Sequence, residues 1–539
     1  MPQALAAVLP DATDPVPRPG SVAPRVEVLV TAAEAYPALE RAFLAAEREI
    51  SASFRIFDLT TKLRSAEARQ VGDTWFDLVA HTLGRGVALR IVIADFDPVA
   101  RPRLHRATWR TVRWLHAAAE LAGPGARLRV VPAMHPATAG LVPRLLLWPV
   151  VLSRLLRTTG WLGGLVPPHR LAVLRELPGV RRFLAGPPAA ARPRPRLAAL
   201  PPLHPATHHQ KLAVFDRRQL YIGGLDLDDR FYDTPDHRRP SDETWHDVQL
   251  MVEGPVAEDA HRHIAGFLGI AGRRLPPGPV APDRDGLRFV RTLSRRRSAW
   301  PGLHISPDPA VTEIEEAHHR AVAAAQRLIY VETQYFRDRR LARRLALQAR
   351  RMPGLTMILV LPAAPDDIAF EGAEGMDARL GEFLQAEALR ILRRGFGARL
   401  FVGGAAQPRA TRACGRAQLN GAPLVYVHAK VSIFDAATAI VSSANLNGRS
   451  LRWDSEAGLV ITRPEAVVAL RGRLMAHWLP RDADAACLDP DRAAVAWAAL
   501  ACRNAARAAA EREGFLLPYD AKPAEAFGRA FPLVPDELV

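Results

Sequence analysis

The chain is 539 residues long, 49% hydrophobic and 24% charged, enough to bury a large core and too apolar for a disordered protein. Its 72 Lys and Arg against 56 Asp and Glu leave a formal charge of +16, which implies an anionic partner: nucleic acid, an acidic membrane surface or a phosphorylated small substrate. Three cysteines, Cys414, Cys487 and Cys502, argue against a disulfide framework and are compatible with a reducing compartment.

Residues 1–25 read as a flexible N-terminus, broken by prolines and without a basic residue before Arg18, so no secretory signal is expected. The expected address is cytoplasmic, with export by a route lacking a cleaved signal left open. A first half is drawn at 26–300. Val26–Val30 is a short apolar strand, and Thr31 with Glu34 reads as a capping box that opens a helix to about Glu49. A strand at about Ser53–Phe57, a helix at Trp75–Leu83, a glycine turn and the doubly buried strand Val87–Ala94 follow. Alternation of strands and amphipathic helices indicates an α/β architecture.

From roughly 136 to 202 the composition changes. The segment is rich in leucine and tryptophan, and between Leu141 and Phe183 seven arginines face a single acid, Glu176. Its longest stretch free of Arg, Asp and Glu, Thr158–His169, is 12 residues and too short to span a bilayer. Two readings compete. The segment lies in a membrane interface, tryptophans at headgroup depth and arginines on acidic lipid, or it is a helical cap packed on the core. Gly186–Pro202, rich in Pro, Ala and Arg, reads as a stiff connection.

His209-Gln210-Lys211 comes next, with Asp216 five residues after the lysine. The apolar strands Leu212–Phe215 and Leu220–Ile222 make a hairpin with histidine and lysine at one end, then Gly223-Gly224 and Asp226. In the second half, 301–480, helix Glu313–Ala325, strand Leu328–Glu332, helix Leu341–Arg350 and strand Leu355–Leu361 repeat the earlier order. His428-Ala429-Lys430, Asp435, Ser442-Ser443 and Asn445 then repeat the hairpin at the same offsets. Gly86 to His209 spans 123 residues and Gly354 to His428 only 74, which places an insertion of about 49 residues in the first half. The tail, 481–539, reads as a helical extension around Ala493–Arg512.

The chain has only four lysines, Lys62, Lys211, Lys430 and Lys522, and two of them stand in the repeated phrase. A compact, rotatable ammonium is therefore kept where a planar guanidinium would not substitute. Side chains two apart on a strand share a face, so each hairpin presents an imidazole beside an ammonium. Small residues after the second strand let backbone N–H groups approach a phosphate oxygen, and Asn445 adds a donor. Two such hairpins suit a two-step displacement on a phosphodiester. One neutral histidine attacks phosphorus, the other supplies and recovers the proton, and the lysines stabilise charge on the non-bridging oxygens. Carboxylates able to hold the imidazoles follow each copy, Asp247 and Glu456, each otherwise an ordinary surface acid. A zinc set of His204, His208, His209 and Asp216 lacks a counterpart in the second copy and is interrupted by Pro205, so no metal and no cofactor is expected.

The doubled H-x-K-x-x-x-x-D, with small residues and Asn after it, resembles the phospholipase D superfamily from about Val26 to Trp478. Gly223-Gly224-Leu225-Asp226, Tyr232-Asp233-Thr234, Trp245-His246-Asp247, Tyr330-Val331-Glu332-Thr333-Gln334 and Ser442–Ser450 resemble its phosphatidylcholine-cleaving branch. The resemblance implies two similar α/β/α sandwich halves related by a pseudo-twofold, with the active site at their junction. It also implies His209 as nucleophile and His428 as acid/base, with Asp247 and Glu456 orienting them and Asp216 and Asp435 structural. The first copy departs from the superfamily's Gly-Ser-x-Asn at Gly224 and Asp226, and the second at Ser442; the first departure, shared with the phospholipase branch, counts against a nuclease. The expected reaction is hydrolysis of glycerophospholipids to phosphatidic acid and headgroup alcohol through a phosphohistidine, with transfer to other alcohols. A cardiolipin synthase-like phosphatidyltransferase is the first alternative, a nucleic-acid phosphodiesterase the next and an idle lipid-binding protein the last. Expected partners are the phospholipid and an acidic membrane surface met by residues 141–183, not nucleic acid; the oligomeric state is left undetermined.

Overall fold

A computed structural model describes residues 25–187, 193–197, 199–269, 280–297, 302–532 and 534–539. The flexible N-terminus expected for 1–25 lies, but for Arg25, outside the described residues.

Two mixed sheets organise the chain. The first is built from β1 (Arg25–Val30), β2 (Glu49–Phe54), β3 (Ala88–Asp95), β4 (Leu128–Met134), β5 (Leu212–Phe215), β6 (Gln219–Gly223) and β7 (Val248–Glu253), in the order β1-β7-β6-β5-β2-β3-β4. The second is built from β8 (Leu287–Arg295), β9 (Asp308–Thr312), β10 (Leu328–Thr333), β11 (Thr356–Leu361), β12 (Leu400–Ala405), β13 (Lys430–Phe434), β14 (Thr438–Ser442), β15 (Glu456–Ile461) and β16 (Leu516–Pro518). Its order is β9-β8-β15-β14-β13-β10-β11-β12-β16. The run β7-β6-β5-β2-β3-β4 therefore has a strand-for-strand counterpart in β15-β14-β13-β10-β11-β12. In both runs the last three strands are parallel and the hairpin joins them antiparallel.

Helices cover both sheets. α1 (Thr31–Ala45), α2 (Trp75–Gly84) and α3 (Pro102–Ala122) pack on one face of the first sheet. α4 (Glu313–Ala324), α5 (Arg339–Arg351) and α6 (Met376–Phe396) cover the corresponding face of the second. The other faces share one continuous core with helices Val256–Gly269, Pro464–Trp478 and Ala493–Ala506. Alternation along β5 divides the work: Leu212 and Val214 enter the shared core, Ala213 and Phe215 the outer one.

Several boundaries differ from the sequence reading, among them that of β2, expected at about Ser53–Phe57 and found at Glu49–Phe54. α1 stops at Ala45, not near Glu49, because the Asp216 carboxylate accepts the N–H groups of Glu47, Arg48 and Glu49 and draws the chain into β2 there. No Thr31 capping box forms; Val30 is the cap residue and its N–H donates to Glu34. The C-terminal helix ends at Ala506, not Arg512, where Asn504 bonds the backbone of Glu513 and Leu516 and turns the chain into β16. Leu287–Arg295, placed with the first half by a boundary at 300, pairs with Glu456–Ile461 in the second sheet. The insertion contributes helices Leu141–Leu146, Trp148–Gly163 and Pro167–Arg175. Val151 and Leu155 pack against Val99 and Phe183, whereas Leu145, Leu146, Val150, Leu156 and Trp161 stay exposed. No described helix is long and apolar enough to cross a membrane.

Candidate functional site

The two hairpins meet through a pair of crossed bridges. Ser455 pairs with His208, its carbonyl accepting the His209 N–H at 2.8 Å and its N–H donating to Thr207 O at 3.0 Å. His246 pairs with Val427 in the same way, its carbonyl accepting the His428 N–H at 2.7 Å and its N–H donating to Tyr426 O at 2.8 Å. Each histidine strand is thus held by the residue just before the other half's carboxylate. The consequence is an exchange of partners. His209 Nδ1 lies 3.1 Å from Glu456 and His428 Nδ1 2.6 Å from Asp247, so each imidazole is held by the acid from the opposite copy, not by the one that follows it in sequence.

The lysines turn inward. Lys211 Nζ donates to His209 O at 2.7 Å and sits 3.4 Å from Asp226, while Lys430 donates to His428 O and lies 2.9 Å from His428 Nδ1. Asp216 and Asp435 face away and do equivalent work. Each holds a left-handed turn (φ 49° and 56°) and accepts three successive backbone N–H groups, those of Glu47–Glu49 and of Gln326–Leu328.

The residues expected at the phosphate divide. Gly223 and Gly224 donate their N–H groups to Lys211 O and Val248 O, and a Cβ on them would lie 1.8 Å from Gln249 Oε1 and 2.2 Å from Asp247 Oδ1. Their lack of a side chain makes room for the strand beside them. Across the second hairpin the sizes reverse, with Ser442 against Gly458. Asp226 accepts the N–H groups of Arg55 and Ile56 and, as a carboxylate, offers no donor. Ser443 donates to Glu456 at 2.5 Å. Asn445 alone of this set is buried with its amide oxygen unpartnered. The rejected zinc set is dispersed: His204 bonds His135 O, His208 bonds Ser455 and Asp216 holds its turn.

Burial sets the proton balance. It holds His209 and His428 well below the usual imidazole range, with both lysines adding to the effect. It pushes Asp247 up to about 7 and Glu456 up to about 8, and pulls Lys430 down to about 7 and Lys211 in the same direction. Two further residues belong here that the sequence did not single out. Arg55, just after β2, lies 4.0 Å from Asp226 and bears electrostatically on both histidines. By strand register it is the counterpart of Gln334: Ser53 pairs with Leu212 as Glu332 pairs with Val431. One arginine among many carries no sequence signal. The Trp245 ring lies over the His428 ring at 4.5 Å, and the only hint was its place beside His246-Asp247.

Comparisons with known proteins find similarity to phospholipase D-like proteins. Residues 319–478 match the family described as cardiolipin synthase, PLD-like domain. Phospholipase D alpha 1 of Oryza sativa subsp. japonica is 25% identical over 390 residues, covering 50% of this chain and 48% of that one. Phospholipase D1 of Schizosaccharomyces pombe is 25% identical over 346 residues, covering 47% and 25%. The chain is similar to proteins of the phospholipase D superfamily. It spans about half the length of the rice relative and a quarter of the yeast one. Among solved structures, phosphatidylserine synthase from Haemophilus influenzae aligns over 83% of this chain and 84% of its own, at 11% identity and a TM-score of 0.48. Within this phospholipase D-type fold the duplicated hairpins lie at the junction of the two sheets, where the crossed bridges form.

Proposed function

We propose that the chain is a phosphodiesterase that cleaves glycerophospholipids on the headgroup side by double displacement. The observation that carries the reading is the pair of carboxylate-backed imidazoles at one junction, each beside a buried ammonium. His209 Nε2 attacks phosphorus, and His428 gives its proton to the departing headgroup oxygen as the P–O bond breaks. The phosphatidyl group is left on His209. His428 then takes a proton from water, whose oxygen displaces the histidine and releases phosphatidic acid. An alcohol in place of water gives a phosphatidyl ester, so the same intermediate serves a phosphatidyltransferase. Lys211, Lys430, Asn445 and Arg55 face the non-bridging oxygens. Both histidines are neutral at rest, as the nucleophile requires; the phosphodiester's negative charge draws a proton onto His428. The exposed apolar and arginine-rich face of the insertion supports a lipid surface as the place of action, with a peripheral location.

The test is incubation of the protein and its Lys430→Ala variant with mixed phospholipid vesicles and a little ethanol, followed by mass spectrometry of the lipids. Phosphatidic acid and phosphatidylethanol are expected from the wild type and not from the variant. Phosphatidylethanol without phosphatidic acid would favour the transferase, and unchanged lipids beside cleaved oligonucleotide would favour nucleic acid.

A further inference from the structure

At His246, the residue just before Asp247, three histidines from both halves converge. His237 and His246 come from the segment between β6 and β7, and His477 from the last turn of the helix Pro464–Trp478. One ring nitrogen of each lies within 4.8 Å of those of the other two. His237 and His246 are fully buried.

The outer nitrogens of two of the rings are already fixed by carboxylates. His237 Nδ1 lies 2.7 Å from Asp233, which also accepts the N–H groups of Thr234 and Trp245. His246 Nε2 lies 2.7 Å from Glu332, whose other oxygen accepts from Tyr330 and Trp478. A carboxylate on one imidazole nitrogen fixes the tautomer and leaves the other nitrogen as a lone pair, the arrangement that orients histidine toward a metal. The nitrogens left over are His237 Nε2, His477 Nε2 and His246 Nδ1. The first two are 2.9 Å apart, and His246 Nδ1 is buried with no hydrogen-bond partner. A hydrogen-bonded pair of imidazoles would account for His237 and His477 but would leave His246 Nδ1 unsatisfied, a costly state for a buried polar atom. A cation accounts for all three. Trp478, 4.3 Å from the His246 ring, and Phe515, 5.3 Å from the His237 ring, wall the cluster with apolar surface.

We propose that His237, His246 and His477 bind one divalent transition-metal ion, zinc by preference, with a fourth position for water or a small ligand. Three neutral imidazoles suit zinc, and among the described residues no carboxylate joins the set to favour magnesium or calcium. The ion does not touch the reacting phosphorus. It ties the first-half segment ending in His246-Asp247 to a second-half helix, and the His246 carbonyl and Asp247 carboxylate are the groups that hold His428. His246 is thus a positioning residue for the proposed acid/base.

The test uses the full chain and reads metal, not turnover. Elemental analysis of dialysed protein should give about one zinc per chain in the wild type and none in His237→Gln or His477→Gln. Wild-type protein stripped with a strong chelator should take up one Zn2+ or Co2+ in competition with a chromophoric chelator, Co2+ giving visible absorption of nitrogen-ligated low-symmetry type. Its melting temperature should rise by several degrees as the ion is restored, and the variants should show neither effect. The proposal is overturned if stripped wild-type protein binds no Zn2+, Co2+ or Ni2+ at micromolar concentration, or if both variants keep the ion. The stripped wild type decides the matter even where a variant fails to fold.

Discussion

His209 Nδ1 faces two acceptors, the Glu456 carboxylate and the Ser443 carbonyl, so its proton stays there and Nε2 keeps the lone pair. Burial and the neighbouring cations keep that lone pair free well below the usual imidazole range, which moves the acid limb of a pH profile down. The alkaline limb moves down too, because burial brings Lys430 to about 7 and its positive charge fades as the pH rises through that value. Turnover on a soluble phosphodiester should therefore follow a bell whose maximum lies below about pH 7, with its acid limb moved down from the usual imidazole range. A profile with no fall as the pH rises through about 7 would show that turnover does not depend on the Lys430 charge. Arg55 allows a second check at this scale. It supplies a half-buried positive charge to both histidines and replaces the neutral Gln334 of the other half, so Arg55→Gln should lower kcat/KM about 10- to 100-fold. The thermal melt of that variant should stay close to wild type; an unchanged kcat/KM would place the guanidinium outside the phosphate's field.

The hairpins were legible in the sequence because the phrase is local: strand, turn, strand and the aspartate that closes the turn all lie within a few residues. The exchange of carboxylates was not, because it depends on Ser455 and His246 pairing across the halves, and sequence spacing carries no information about contacts some 200 residues apart. Gly223 and Gly224 looked like a phosphate cradle for the same reason. Their neighbours Gln249 and Asp247 come from the next strand, and only the register shows that the glycines yield space to them. The insertion is the element whose two sequence readings both leave a trace. The buried stripe Val151, Leu155, Thr159 and Leu162 on the helix Trp148–Gly163 packs as a cap, yet Leu145, Leu146, Val150, Leu156 and Trp161 face outward. An exposed apolar face beside arginines is what an interfacial helix presents to acidic lipid. Replacing Leu146, Val150 and Leu156 by serine should thus weaken sedimentation with acidic vesicles at least about tenfold, from roughly 0.8 kcal/mol per buried methylene lost. Cleavage of vesicle lipid should fall in step and cleavage of a short-chain soluble diester should not. Equal loss on both substrates would mean the face belongs to the core's stability.

At the scale of the whole molecule, the site is a cost that the shared core carries. Both sheets turn one face to a single apolar cluster, and the crossed bridges set buried acids and lysines at the junction beside it. Glu456 bears that cost most plainly, since burial pushes its carboxyl up to about 8. The folded chain then binds a proton that the unfolded chain releases near the ordinary carboxylate value of about 4.3. The folded state is therefore favoured most below that value, and this contribution is lost as the pH rises toward about 8. Glu456→Gln keeps the shape and an acceptor for His209 while removing the ionisation. It should melt with the wild type near pH 4.5 and above it at pH 8, by about 1–3 kcal/mol. It should also lose most of its turnover, because glutamine cannot release a proton to become the anion that balances the positive charge growing on His209 during attack. A wild type more stable than the variant at pH 8 would show that the Glu456 charge is welcomed by Lys211 and not strained by burial. Gain of stability with loss of turnover would mark Glu456 as a group kept for chemistry against the preference of the fold.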